Sequence, residues 1–241
     1  MYFAEIFHRI LSPGFVSSGV MNVFSGWWYR VAPGEFPQHY RAVRQYTMSS
    51  TARLHALHDA TRQLLLDKIG GDFVECGTAK GGSAALLALT LNTAGSNRVL
   101  WIFDTFEGMP EPSPNDPDHD VAKKYVGTCR GTLDEVTGLF RELEILQRTR
   151  MVKGMFQDTL GTATVEQIAL LHIDGDWYDS VMTCLQVFYD RVSPGGIVQI
   201  DDYGYWEGAR KAVDDFFKQR NIAMPTLRQI DYAGRQFTKP L

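Results

Sequence analysis

An α/β fold built on a doubly wound, mostly parallel sheet is predicted by three features of this chain. Apolar runs rich in Ile, Val and Leu alternate with segments of helical spacing along most of its length, the pattern of repeated strand–helix–strand units. Two of the runs, Leu171–Asp176 (LHIDGD) and Ile197–Asp202 (IVQIDD), end in paired carboxylates and flank a helix-like segment at Val181–Val192. They therefore read as neighbouring parallel strands. A third run, Asp72–Cys76, opens into a glycine-rich turn at Gly77–Gly82 and then an Ala/Leu helix at Ser83–Asn92. Such a strand–turn–helix unit presents free backbone N–H groups to a ligand.

The remaining elements follow in order. Residues 1–45 read as an irregular arm with a short helix, broken by Pro13-Gly14, Pro33-Gly34 and Pro37. Glu5, His8 and Arg9 interrupt its apolar residues, which disfavours a signal peptide; the arm reads as an oligomer or lid contact in preference to a membrane-surface one. Residues 46–241 form the rest as one domain. Ser50–Ile69 carries Leu54, Leu57, Ala60, Leu64 and Leu65 at helical spacing and stops at Gly70-Gly71. Arg98–Phe103 is the second strand, ending at Asp104. Met109–Val121, rich in Pro and Asp, is a loop that reads as a mobile lid or rim. Leu133–Leu146 is a helix with an acidic start, Thr149–Lys153 a short strand and Gly208–Arg220 a further helix. Thr226–Tyr232 and Gln236–Lys239 close the chain as a hairpin.

Bulk properties exclude several function classes. A formal net charge of -4 over 241 residues gives no general attraction to nucleic acid or to an anionic membrane. No apolar run approaches the roughly 20 residues of a membrane span. The 3 cysteines are odd in number and widely spaced, which argues against a disulfide framework and a structural zinc site and for a reducing, cytoplasmic compartment.

Chemistry is predicted at one edge of the sheet. Parallel neighbours point their C-terminal ends the same way, so Asp174, Asp176, Asp201 and Asp202 converge where ligands bind in open α/β sheets. Four carboxylates repel unless a cation sits among them, and an all-oxygen set favours a hard one such as magnesium. The turn after Glu75 matches neither G-x-G-x-x-G nor a Walker A loop. Glu75 would repel a pyrophosphate but suits a cationic sulfonium, which shifts the reading from a dinucleotide toward S-adenosylmethionine. Asp104 stands at the next strand end, where a carboxylate holds ribose hydroxyls. An Asp-Gly-Asp after an apolar strand is also found in metal-dependent glycosyltransferases, an alternative left open here. His172, on a buried strand, reads as a structural histidine.

DFVECGTAKGGSA, FDTFEGMPEP, KGMFQDTL, LHIDGDWYDS and SPGGIVQIDDYG occur in this order, and together they resemble the macrocin O-methyltransferase family. From Tyr46 to the C-terminus the resemblance implies a class I methyltransferase sheet of seven strands with a terminal antiparallel strand. It also implies an S-adenosylmethionine- and magnesium-dependent O-methyltransferase whose acceptor is a hydroxyl of a sugar or other natural product. A phenol- or catechol-type acceptor is the neighbouring alternative. Carried over by residue, Asp174, Asp201 and Asp202 match metal ligands and Asp176 the general base. Cofactor contacts are implied for Thr47, Met48, Glu75, Gly77, Thr78, Gly81, Gly82, Ser83, Asp104, Thr105, Phe106, Glu107, Gly108 and Asp158. Trp177, Tyr178, Tyr203, Tyr205 and Trp206 flank the carboxylates and suit stacking on an acceptor.

Overall fold

The computed structural model describes residues 29–240 of the chain. Strands β1 (Asp72–Cys76), β2 (Leu100–Asp104), β3 (Thr149–Lys153), β4 (Ile168–Ile173), β5 (Val192–Ile200), β6 (Arg228–Gln229) and β7 (Arg235–Thr238) form one sheet in the order β3-β2-β1-β4-β5-β7-β6. The β3-β2-β1-β4-β5 neighbours pair in parallel, and β7, the last strand of the chain, runs antiparallel to both its neighbours. The doubly wound sheet with a terminal antiparallel strand is thus as the sequence predicts. Helices α1 (Glu35–Val43), α2 (Thr51–Leu66), α3 (Gly82–Thr93), α4 (His119–Ala122), α5 (Leu133–Glu142), α6 (Phe156–Thr159), α7 (Tyr178–Phe188) and α8 (Glu207–Gln219) accompany it.

Strand residues alternate between two apolar layers. Phe73, Leu100, Ile102 and Leu170 share one buried cluster with α1, α2, α3 and α5, while Val74, Phe103, Leu171 and Val198 share the other with α7 and α8. Each large side chain so buried contributes about 1.5–3 kcal/mol of apolar transfer. One position breaks the apolar pattern. Glu75, His172, Gln199 and Gln236 are register partners across β1, β4, β5 and β7, and all four are buried. This polar row lies beneath α2, where Gln199 Nε2 donates to the Arg53 carbonyl at 3.4 Å and Gln236 Nε2 donates to Gln199 Oε1 at 3.2 Å.

Several boundaries differ from the sequence reading. Residues 29–45 include α1, which buries Phe36 and Val43 and is joined to α3 by His39 contacts to Thr90 and Thr93. That part of the predicted arm therefore belongs to the helical layer, whereas residues 1–28 lie outside the described residues. The helix expected over Val181–Val192 starts earlier, at Tyr178, and ends earlier because Val192 already belongs to β5. Pro194 and Gly195 enter the strand at a register shift against β4, with Gly195 at φ 79°, the kind of bulge that accommodates both residues. Helix α5 stops four residues short of the expected Leu146, and Glu144 just beyond it takes a left-handed φ of 56°.

The Met109–Val121 segment, read from sequence as a lid or rim, is tethered to α7 and α8. Trp177 and Trp206 occupy the N-cap positions of α7 and α8 and offer no side-chain acceptor to the helix. The rim supplies the acceptors instead: Asp116 Oδ1 takes the Tyr178 N–H at 2.6 Å and Asp118 Oδ2 takes the Glu207 N–H at 2.7 Å. Carboxylates there also favour the positive helix end. Trp177 Nε1 donates to the Pro110 carbonyl at 2.9 Å, a third tether.

Two stability effects are expected in urea unfolding. Phe140→Ala, which empties a fully buried site, should cost about 3–5 kcal/mol. Asp116→Ala should cost about 1–3 kcal/mol by leaving the Tyr178 N–H unsatisfied, and an unchanged midpoint would show that the rim does not cap α7.

Candidate active site

A cavity of about 350 Å³ opens at the C-terminal ends of β1, β2, β4 and β5, the edge where the strand order reverses about β1. Its first half is built from the glycine turn. Gly77 has φ 90°, and a Cβ there would collide with the carbonyl oxygen of Asp174, so glycine alone lets β1 and β4 meet at this point. A Cβ on Gly82 would lie 2.7 Å from Tyr46 O and Thr47 Cβ, so the second close approach lays the 46–47 segment against the start of α3. Asp104 braces the turn: its carboxylate accepts from Thr78 N at 2.7 Å, Ala79 N at 3.2 Å and Phe106 N at 2.6 Å. Burial raises the Asp104 pKa against those three donors.

The second half is acidic. Parallel register pairs Ile173 with Ile200, and the ladder continues past both strands through Asp174 N to Cys76 O and Asp201 N to Ile173 O, each at 2.9 Å. The carboxylates that follow are thereby fixed side by side. Oxygens of Asp174, Asp176 and Asp202 lie within 4.8 Å of one another, and Asp174 forms a second such group with Asp201 and His172. Asp201 is the neutralised member. Arg53 Nη1 donates to Oδ2, as does Ser49 Oγ at 3.1 Å, and His172 Nε2 lies 3.3 Å from Oδ1. Burial opposes its charge, but Arg53 and His172 prevail and hold its pKa below the usual carboxylate range.

The other three carboxylates lack that compensation. Burial and the neighbouring Asp201 push Asp202 up to about 6. Burial, then Asp201 and Asp202, raises Asp174 well above the usual range, and burial with Asp202 does the same for Asp176. Among the described residues no hydrogen-bond donor reaches Asp202 Oδ2, although it is buried. A buried, unsatisfied carboxylate oxygen beside two further carboxylates fits a hard cation. Asp176 sits at φ 56° and accepts from Trp206 Nε1 at 3.0 Å on Oδ1.

Comparison with known proteins identifies the family of the chain. The family model described as Macrocin-O-methyltransferase (TylF) matches residues 38–239. The chain belongs to the macrocin O-methyltransferase family. Among curated relatives it is 34% identical over 196 residues to the 8-demethyl-8-(2,3-dimethoxy-alpha-L-rhamnosyl)-tetracenomycin-C 4'-O-methyltransferase of Streptomyces olivaceus, covering 78% of this chain and 74% of that one. It is 31% identical over 185 residues to the demethyldecarbamoylnovobiocin O-methyltransferase of Streptomyces niveus, covering 74% and 70%. The solved structure of the O-methyltransferase NovP superposes with a TM-score of 0.76 at 29% identity, over 81% of this chain and 83% of that one. This macrocin O-methyltransferase family member is an S-adenosylmethionine-dependent O-methyltransferase, and its Asp-Gly-Asp stretch is not that of a glycosyltransferase.

Within this family member the residues singled out by sequence divide into two sets. Thr47, Met48, Gly77, Thr78, Ser83, Asp104, Thr105 and Gly108 line the cavity, as do all four aspartates. Glu75 is fully buried beneath it, accepting from Thr78 Oγ1 at 2.8 Å and facing His172 Nδ1 at 2.8 Å; the sulfonium contact assigned to it is taken up by protein partners. Gly81 serves as the left-handed N-cap of α3 and Gly82 packs on Thr47. Phe106 turns into the core, and Glu107 turns to solvent and pairs with Lys153 at 2.8 Å. Asp158 is exposed on α6, while its neighbours Phe156 and Gln157 reach the cavity. Of the five flanking aromatics, Tyr205 and Trp206 line the cavity, whereas Trp177 and Tyr178 are buried in packing and Tyr203 donates to Asp214 at 2.9 Å. Sequence reasoning missed Arg53 and Ser49. The available signal was a cation at position 53, one residue before the apolar spacing of α2 begins.

Gly77→Ala is expected to force β1 and β4 apart at the turn. Calorimetric titration should find binding of S-adenosylhomocysteine lost and differential scanning a lowered Tm; retained binding would mean that this close approach does not shape the donor site.

Proposed function

We propose that this methyltransferase acts on a sugar hydroxyl of a glycosylated natural product, with magnesium held by Asp174, Asp201 and Asp202. The observation that carries this reading is the buried, donorless Asp202 Oδ2 within a group of carboxylates. Asp201 would contribute Oδ1, which faces His172 and keeps a lone pair, since Oδ2 already accepts from Arg53 and Ser49. When bound there, the cation supplies positive charge that lowers the cost of deprotonating a neighbouring hydroxyl. The two curated relatives described above carry names that specify natural-product O-methylation, one on a rhamnosyl unit, which supports the acceptor class.

The chain's own residues do the rest. Asp176 takes the hydroxyl proton at Oδ2, because Trp206 Nε1 occupies Oδ1. The Gly77–Gly82 turn and the Thr47–Ser49 segment would hold the methyl donor beside the carboxylates, and holding two reactants in place in this way removes much of the barrier. Tyr205 and Trp206 give the acceptor an apolar wall, stiffened by edge-on packing of Trp206 against Trp177 with centroids 5.0 Å apart and against Tyr125 at 5.4 Å. Cys76, Cys129 and Cys184 are unpaired, in keeping with a cytoplasmic enzyme.

The reading is tested with labelled S-adenosylmethionine and a pool of hydroxylated glycosides, with and without EDTA. Label should enter the glycosides, vanish with EDTA and return with magnesium. Asp176→Asn should lower kcat by about 10²–10⁴-fold. Activity indifferent to EDTA and to Asp202→Asn would remove the cation from the mechanism, and label confined to phenols would replace the sugar acceptor.

A further inference from the structure

Four buried side chains connect the glycine turn to the carboxylate cluster without a break. Thr78, in the turn, donates its hydroxyl to Glu75 Oε2 at 2.8 Å. The other oxygen of Glu75 faces His172 Nδ1 at 2.8 Å, and His172 Nε2 faces Asp201 Oδ1 at 3.3 Å. Glu75 and His172 are fully buried, Asp201 is 2% exposed and Thr78 4%. The strands set this line: Glu75 and His172 are register partners on β1 and β4, and Asp201 follows β5 directly. Both ring nitrogens point at carboxylates, so the imidazole serves as donor on both sides and cannot turn without breaking one contact. Asp201 is held from the opposite wall as well, by Ser49 of the segment that lines the cavity beside Thr47 and Met48. One carboxylate is thus tied to both walls of the methyl-donor pocket.

We propose that His172, oriented by Glu75, is a positioning residue that couples the two halves of the site, so that occupation of the donor pocket and occupation of the cation site strengthen each other. The inference rests on the cation reading given above. A donor molecule seated on the turn fixes Thr78, Thr78 fixes the Glu75 carboxylate, and Glu75 fixes the ring that aims Asp201 Oδ1 at Asp174. Hydrogen-bond partners behind a ligating group act in this way on its orientation, and the coupling is reciprocal by linkage.

The test is calorimetric titration of S-adenosylhomocysteine into the full chain with and without magnesium, and of magnesium with and without S-adenosylhomocysteine. In the wild type each ligand should tighten the other by the same factor, about tenfold. His172→Gln and Thr78→Val should each bring that factor close to one, and Thr78→Val should do so with magnesium affinity in the absence of S-adenosylhomocysteine unchanged, since the Thr78 hydroxyl bonds Glu75 and none of Asp174, Asp201 and Asp202. Should His172→Gln fail to fold by circular dichroism, Thr78→Val decides alone. Independent binding of the two ligands to the wild type, or a coupling factor that survives Thr78→Val, overturns the proposal while leaving the cation reading intact. Binding of S-adenosylhomocysteine with no magnesium binding at all overturns the cation reading and the proposal together.

Discussion

Asp201 is a charged side chain at 2% exposure, and the arrangement of this edge follows from keeping it charged. An isolated buried carboxylate costs several kcal/mol in desolvation, which only close, well-directed partners offset. Arg53 is the leading source of that compensation and does more than pair with one group. Its Nε also lies 3.2 Å from Asp231 Oδ2, and Asp231 Oδ1 accepts from Ala233 N at 2.9 Å and Gly234 N at 2.7 Å just before β7. Ser50, the N-cap of α2, donates to the same Asp231. A single guanidinium therefore fixes the start of α2, the end of β5 and the turn into the antiparallel strand.

The same electrostatics divide the four aspartates into unlike roles. Asp201 is anchored by two cationic partners and stays ionised. Asp174, Asp176 and Asp202 sit within reach of one another with little to offset them, and their protons are held more tightly as a result. Groups with chemically identical side chains, a few ångströms apart, are pushed in opposite directions by their surroundings. Rigid support on one side and unmet negative charge on the other is what a site for a hard cation requires.

How much of this was legible in the sequence depends on the range of the interaction. The strands and most helices announce themselves through local periodicity, and the convergence of Asp174 with Asp201 and Asp202 follows from parallel register alone. Phe106 and Glu107 belong to one motif and Asp158 to another, but chain direction after a strand end is set by local backbone turns, such as the φ of 54° at Phe106, so motif membership does not determine facing. Arg53 is 148 residues from Asp201, and no local signal links them. The polar row was half legible. Glu75, His172 and Gln199 each precede the last residue of an apolar strand, a visible oddity, yet only the register reveals that they are neighbours under one helix.

The borrowed caps of α7 and α8 have a consequence for how such an enzyme can change its acceptor. The segment from Met109 to Val121 borders the cavity mouth, where replacing residues would be the direct route to a different specificity. Yet Asp116 and Asp118 within it satisfy the first turns of two helices that carry Trp177 and Trp206 where a capping side chain belongs. The aromatic wall and the loop opposite it are therefore inherited as one piece. A loop transplanted from a relative would have to bring both aspartates in the same register, or the receiving helices would fray at the ends that hold Trp206 against Asp176.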